Sequence, residues 1–103
     1  MAAEIFIDCV LSRGAFSAER LFKLSTYGGS EYVGIAPVYY CYKRDFSRLG
    51  MDEPRKSIDG LIEARLVTDV SDRARVSIPD GATIDVPSRI LKSKAPTECT
   101  SPT

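Results

Sequence analysis

The chain has 103 residues, of which 44% are hydrophobic, and its 14 basic and 14 acidic residues leave no net charge. This length suits one domain with its own core, and the sequence contains no apolar run near the roughly 18 residues of a membrane span. The lack of a basic excess weakens the case for a dedicated nucleic-acid-binding domain. Because the sequence has no histidine, it excludes Ser–His and Cys–His catalytic couples and histidine metal ligands.

The first half of the sequence predicts three strands. Residues 5–11 are rich in β-branched and aromatic types, which favour strands, and residues 20–26 and 31–36 predict two more. Gly28 and Gly29 separate the second strand from the third and predict a hairpin turn, because glycine readily adopts the positive φ angles of such turns. Residues 37–42 are predicted to be extended or to form a single helical turn.

Residues 43–60 differ from the strands on either side. They are rich in charge, contain Gly50, Pro54 and Gly60, and show no alternation of apolar and polar residues. We interpret them as a linker, with a short helix near residues 44–49. Long loops in compact domains are often functional.

The second half predicts three further strands, at residues 61–70, 73–78 and 82–86. Pro79, Asp80 and Gly81 form the turn between the last two, because proline presets φ and glycine accepts the left-handed position. Residues 87–91 are typical of a closing helical turn. Residues 92–103 have almost no apolar content and are predicted to be a disordered tail.

The two halves resemble each other. Residues 20–29 and 72–81 align at an offset of 52 (75 − 23), which pairs Leu24 with Val76 and Gly29 with Gly81. We therefore predict a single β domain over residues 1–91, with one copy at 5–42 and a second at 61–91. The predicted fold class is all-β, either a small SH3-like barrel or a pseudo-twofold pair of three-stranded antiparallel meanders.

Period-two spacing places the predicted core residues on one face of each strand. They are Phe22, Leu24, Ile62, Leu66, Val76, Ile78, Ile84 and Val86. Residues 74–91 also resemble the last hairpin and terminal turn of SH3-like small barrels such as Tudor-type and KOW-type modules. The resemblance covers less than a fifth of the chain and implies a fold, not a function.

The cysteines predict neither a disulfide framework nor a metal site. Cys9, Cys41 and Cys99 are odd in number and form no C-x-x-C pair, which indicates a reducing, cytoplasmic setting. We interpret Cys9 and Cys41 as small core residues. No metal and no cofactor is expected.

One segment combines aromatic and basic side chains and is the candidate binding surface. Its residues are Tyr39, Tyr40, Tyr42, Lys43, Arg44, Phe46 and Arg48. Tyrosine and arginine are common anchors in protein interfaces, and tyrosines beside cations also stack bases and contact phosphates. A third interpretation is that the tyrosines only cover one end of a small barrel, with their hydroxyl groups in water.

These observations favour a non-enzymatic function. The first hypothesis is an accessory or adaptor module that binds another protein, and the alternative is a nucleic-acid-binding small barrel; no membrane contact is expected. A less favoured hypothesis is a small carboxylate-dependent hydrolase. Its candidate residues are Asp8, Asp59, Glu63, Asp69, Asp72, Asp80 and Asp85.

Overall fold

The structure is a computed structural model that describes residues 3–93. The strands are β1 (Ala3–Arg13), β2 (Glu19–Ser25), β3 (Glu31–Pro37), β4 (Cys41–Lys43), β5 (Ile58–Val70), β6 (Arg73–Ser77), β7 (Thr83–Pro87) and β8 (Leu91–Lys92). Two single-turn 3-10 helices, η1 (Val38–Tyr40) and η2 (Ser88–Ile90), precede β4 and β8. Within residues 3–93 there is no α-helix, so the predicted all-β class is confirmed.

All eight strands belong to one antiparallel sheet that curls into a half-barrel. Its main path runs β3-β2-β1-β5-β6-β7, so the sheet contains two three-stranded meanders joined through β1 and β5. The predicted pair of antiparallel meanders is therefore present. The SH3-like resemblance stays a prediction.

The short strand that follows each meander pairs with the other meander. β4, from the first half, pairs with β5, and β8, from the second half, pairs with β1. Ile7 of β1 and Ile62 of β5 lie opposite each other. On its other side, Ile7 pairs with Leu91 of β8, and Ile62 pairs with Cys41 of β4. This reciprocal arrangement gives the sheet a pseudo-twofold axis between Ile7 and Ile62.

The two hairpin tips have the same local structure. The amide of Thr26 donates to the carbonyl of Ser30 at 2.8 Å, and the amide of Ile78 donates to that of Ala82 at 2.9 Å. Gly29 and the glycine at 81 have φ angles of 93° and 97°, which glycine adopts without steric cost. The tips thus match at the sequence offset of 52, whereas η1 and η2 are 50 residues apart (88 − 38).

The core lies on the concave side of the sheet, where the two meanders meet. Of the eight predicted core residues, six are buried, and Leu66 and Ile84 are half-buried and pack against them. Cys9 and Cys41 are buried in the same cluster, as predicted. Ile7, Leu11 and Ile62 show no exposure and complete its centre.

The connection between the halves is shorter than predicted, because β4 ends at Lys43 and β5 begins at Ile58. The predicted helix near residues 44–49 is wrong. The amide of Phe46 donates to the carbonyl of Lys43, and Phe46 has a φ of 69°. This left-handed conformation does not propagate as a right-handed helix.

Arg20 on β2 forms hydrogen bonds with residues 50–53 of this connection. Its guanidinium is 1% exposed and donates to the carbonyls of Glu53 at 2.5 Å and Met51 at 2.6 Å. It also donates to the carbonyls of Ser17 and Glu19, both at 2.7 Å. Carbonyl dipoles, and not a carboxylate, therefore surround this buried cation, and the connection is held in place at residues 51–53.

The predicted tail at residues 92–103 lies mostly outside the described residues. Lys92 is the last residue of β8 and lies opposite Phe6. Residues 94–103, which include Cys99, are not described.

Candidate functional site

The seven predicted site residues occupy η1, β4 and the turn after β4, and the structure divides them into three groups. The first group, Tyr42 and Phe46, is packed into the fold. Tyr42 is 7% exposed and its ring meets the ring of Phe6 edge-on at 5.0 Å, while Phe46 meets Phe6 at 5.1 Å. Together with Leu61 they form a small cluster separate from the main core. These aromatic residues stabilise the fold and do not present a free surface.

The hydroxyl group of Tyr42 is also engaged. It donates a hydrogen bond to Oε1 of Glu63 at 3.0 Å. Burial, together with this bond, raises the pKa of the Tyr42 hydroxyl, because both favour its neutral form.

The second group contains the three basic residues, and each of them has a partner within the chain. Nζ of Lys43 lies 3.1 Å from Oε2 of Glu53, and a guanidinium nitrogen of Arg44 lies 3.5 Å from Oδ1 of Asp8. Arg48 donates to the carbonyl of Tyr39 at 3.0 Å and lies over the ring of Tyr42, 5.4 Å from its centroid. Each of the three cations therefore contacts a different group of the chain.

The third group contains Tyr39, which is exposed, and Tyr40, which is half-buried. Tyr39 is 62% exposed, and its ring lies 4.9 Å from that of Tyr40 at an angle of 39°. Both residues belong to η1, whose position is fixed by a hydrogen bond from the amide of Val38 to the carbonyl of Ala18 at 2.8 Å. A single helical turn anchored in this way holds an aromatic pair on the surface.

A cavity of about 250 Å³ opens beside Tyr40. On one edge of β5, the pairing with β4 ends at Ile62 and the pairing with β6 begins at Arg65. Positions 63 and 64 therefore have no partner strand on this edge, and the cavity lies there. Its polar wall contains Glu4, Glu63 and Arg65, with Ile78 and the ring of Tyr40 as apolar surface.

The two glutamates in this cavity interact with each other. A hydrogen bond from Glu4 to Glu63, followed by the repulsion between their charges, raises the pKa of Glu4. A nearby like charge disfavours the ionised form of a carboxyl group. Glu4 is exposed to water, and the pair lacks the desolvation that acid–base catalysis requires.

The pseudo-twofold axis relates this cavity to a second one of about 250 Å³. Asp8 and Asp59 occupy the positions of Glu63 and Glu4, and Ile90 of η2 occupies the position of Tyr40. In the second cavity Asp8 is paired with Arg44 and Lys92, at 3.5 and 3.7 Å. The aromatic wall and the glutamate pair therefore distinguish the first cavity from its counterpart.

The remaining carboxylates proposed for a hydrolase do not assemble into one site. Asp85 binds two arginines, Asp80 accepts from the Tyr32 hydroxyl, Asp72 accepts from the Tyr27 hydroxyl, and Asp69 accepts from Ser88. Across residues 3–93 no group of three or more cysteine, aspartate or glutamate side chains is placed to hold a metal ion.

Sequence reasoning missed two features of this region. Arg20 shares a face with Phe22 and Leu24 at period two, so the alternation itself indicated that Arg20 points inward. Glu4 lies before the predicted first strand, and its proximity to Glu63 follows only from the β1–β5 register.

No protein-family model, curated protein or solved structure matches this chain. In the part of the chain that the structure describes, there is no helix of the length and hydropathy needed to cross a membrane.

Proposed function

We propose that this chain is a non-enzymatic accessory module that binds another protein, in a cytoplasmic setting, through Tyr39, Tyr40 and the cavity beside Tyr40. The observation that carries the proposal is the tyrosine pair on an anchored helical turn, in which Tyr39 is exposed and its ring is tilted against that of the half-buried Tyr40. Tyrosine side chains present a large rigid surface at low entropic cost and are typical anchors of protein interfaces.

The chemistry of the cavity supports a cationic group as the ligand. Glu4 and Glu63 would accept hydrogen bonds from a lysine or arginine side chain of the partner, and the ring of Tyr40 offers a face to the same cation. The volume of about 250 Å³ suits one long side chain. The partner we propose therefore presents a lysine or arginine near an apolar contact for Tyr39.

The same features favour a protein over a nucleic acid. Glu4 and Glu63 outnumber Arg65, the cation in the wall of this cavity, and the resulting net negative charge repels phosphate groups. Nucleic-acid binding depends on cations that neutralise phosphates. Lys43, Arg44 and Arg48, the cations of the segment, contact groups of the chain itself. Base stacking on Tyr39 would thus lack a basic groove to guide the backbone.

A comparison of two alanine variants tests this proposal. The immobilised protein is exposed to lysate, with and without nuclease, and Tyr39→Ala is compared with Phe16→Ala, which removes another exposed aromatic residue that is not part of the proposed site. We expect the same protein to be captured with and without nuclease, and to be lost only with Tyr39→Ala. Capture that requires intact nucleic acid, or that survives Tyr39→Ala unchanged, would contradict the proposal.

A further inference from the structure

The short strands β4 and β8 have equivalent positions in the two halves. Each follows a single 3-10 turn, and its first amide donates to the carbonyl of the residue three positions earlier. Cys41, the first residue of β4, pairs with Ile62, and Leu91, the first residue of β8, pairs with Ile7. Because the pseudo-twofold axis relates Ile7 to Ile62, a residue of β4 is equivalent to the residue 50 positions later (91 − 41).

The same axis relates the carboxylates beside these strands. Residues of β1 and β5 that differ by 55 (62 − 7) are equivalent, so Asp8 corresponds to Glu63. Tyr42, the second residue of β4, donates its hydroxyl hydrogen to Glu63 at 3.0 Å. Lys92, the second residue of β8, contacts Asp8, with Nζ 3.7 Å from Oδ2. Side-chain contacts therefore follow the pseudo-twofold axis, as the backbone does.

A second contact to Asp8 comes from the residue that follows β4. A guanidinium nitrogen of Arg44 lies 3.5 Å from Oδ1 of Asp8. The wall of the second cavity thus contains two acidic side chains, Asp8 and Asp59, and two basic ones, Lys23 and Arg44. Arg44 brings the charges of this wall into balance.

The charges in the wall of the first cavity are not balanced in this way. Two acidic side chains, Glu4 and Glu63, face one basic side chain, Arg65. Among residues 3–93, neither glutamate forms an ion pair. The hydrogen bond to Glu63 and the repulsion between the two charges raise the pKa of Glu4. An added cation would stabilise both carboxylates.

Lys94 is the residue of the chain that corresponds to Arg44. It is 50 positions further along (94 − 44), it is the first residue beyond those that the structure describes, and it is the only basic residue in the sequence from 94 to 103. The β1–β8 register pairs Phe6 with Lys92, and the same register continued by two residues brings position 94 opposite Glu4. Positions 92 and 94 share one face of an extended chain.

We propose that the ammonium group of Lys94 binds between Glu4 and Glu63 when no partner is present. Lys94 then competes with the lysine or arginine of the partner. This competition rests on the proposed function, whereas the contact itself does not. A pair between lysine and an exposed carboxylate is weak, so a partner that adds an apolar contact to Tyr39 displaces Lys94.

Titration of the Glu4 side chain, followed by NMR on the full chain, tests the contact without any partner. Lys94→Gln is compared with the wild type and with Lys56→Gln, which removes the same charge from an exposed residue of the connection between the halves. Loss of a nearby cation favours the neutral carboxyl group, so Lys94→Gln should raise the midpoint of the Glu4 titration by about 0.2–0.7 pH units. Lys56→Gln should leave it unchanged, and salt at about 1 M should remove most of the difference.

A second measurement tests the competition. The probe is Nα-acetyl-lysine methylamide, and the ring signals of Tyr40 report its binding. We expect Lys94→Gln to bind this probe with a dissociation constant at least about twofold lower than that of the wild type, because a site that is free for only part of the time has a reduced apparent affinity. The amide spectra of the variants establish that they are folded.

The two measurements separate the inference from the proposed function. A Glu4 titration that Lys94→Gln leaves unchanged would overturn the inference, and so would equal affinities of the wild type and Lys94→Gln for the probe. If neither protein binds the probe while Lys94→Gln shifts the Glu4 titration, the contact of Lys94 stands and the proposed cationic ligand is contradicted.

Discussion

Ile7 and Ile62 lie opposite each other in the β1–β5 ladder, and each pairs on its other side with the last strand of the other half. Both side chains have no exposure. The pseudo-twofold axis passes between them, so the two residues have equivalent positions in the core.

We therefore expect Ile7→Ala and Ile62→Ala to have similar effects. Each removes fully buried methyl groups and should lower the free energy of unfolding by about 2–4 kcal/mol. Urea unfolding measures this change. Val70→Ala, at a residue that is 69% exposed, is the control and should lie within about 0.5 kcal/mol of the wild type. A large effect at only one isoleucine would show that the halves are not energetically equivalent.

Even a conservative replacement of Arg20 should destabilise the fold. Arg20→Lys keeps the charge but loses the planar guanidinium group that donates to the carbonyls of both Ser17 and Met51. Buried carbonyls without donors cost about 1–3 kcal/mol each, so we expect a loss of at least about 2 kcal/mol in urea unfolding. The exposed Arg13→Lys serves as the control, and equal stability of the two variants would contradict this role of Arg20.

Tyr39→Ala should weaken partner binding by about 1–2 kcal/mol, which corresponds to roughly a fivefold to thirtyfold higher dissociation constant. Isothermal titration calorimetry with the captured partner measures this effect, and Phe16→Ala should leave the affinity unchanged. Salt distinguishes the classes of partner, because a nucleic acid contacted at 6–10 phosphates would lose about 10³–10⁵ in affinity between 50 and 200 mM salt. The protein partner that we propose should lose far less.

The ion pairs of Asp85 predict a pH dependence of stability. Hydrogen bonds from Arg75 and Arg73 lower the pKa of Asp85 to about 2, whereas an unfolded aspartate titrates near about 3.9. A lowered pKa in the folded state stabilises the protein above the unfolded value, and this stabilisation is lost as the pH falls through about 2. Asp85→Asn should therefore melt at a lower temperature than the wild type at pH 7. The difference should diminish between about pH 4 and pH 2.

Asp52→Asn, in the connection between the halves, provides the same change of charge on an exposed residue. Its melting temperature should follow that of the wild type over this pH range. A difference between wild type and Asp85→Asn that does not depend on pH would show that the arginine contacts do not act through charge.

The thiols of Cys9 and Cys41 should be unreactive in the folded protein. Burial raises the pKa of both, that of Cys41 to about 11, so at pH 8 only roughly one Cys41 thiol in a thousand is ionised. Mass spectrometry after alkylation should show labelling at both sites in denaturant and almost none without it. Rapid labelling of the folded chain at either site would contradict their burial.

The local sequence determined most of the secondary structure. Alternation placed Val76 and Val86 on inward faces, and Gly29 and Gly81 located the hairpin tips, because both signals depend on a few adjacent residues. The segment around Tyr39 was recognised from composition, although composition did not separate its buried residues from its exposed ones.

Only the tertiary structure decided which strands and side chains meet. Period two defines the two faces of a strand, but it does not state which distant strand lies along its edge. The exchange of β4 and β8 between the halves, the burial of Tyr42 against Phe6, and the cavity between Glu4 and Tyr40 all depend on that pairing. The exposure of Tyr39 follows from the same long-range contacts, because the residues that pack around η1 come from distant parts of the chain.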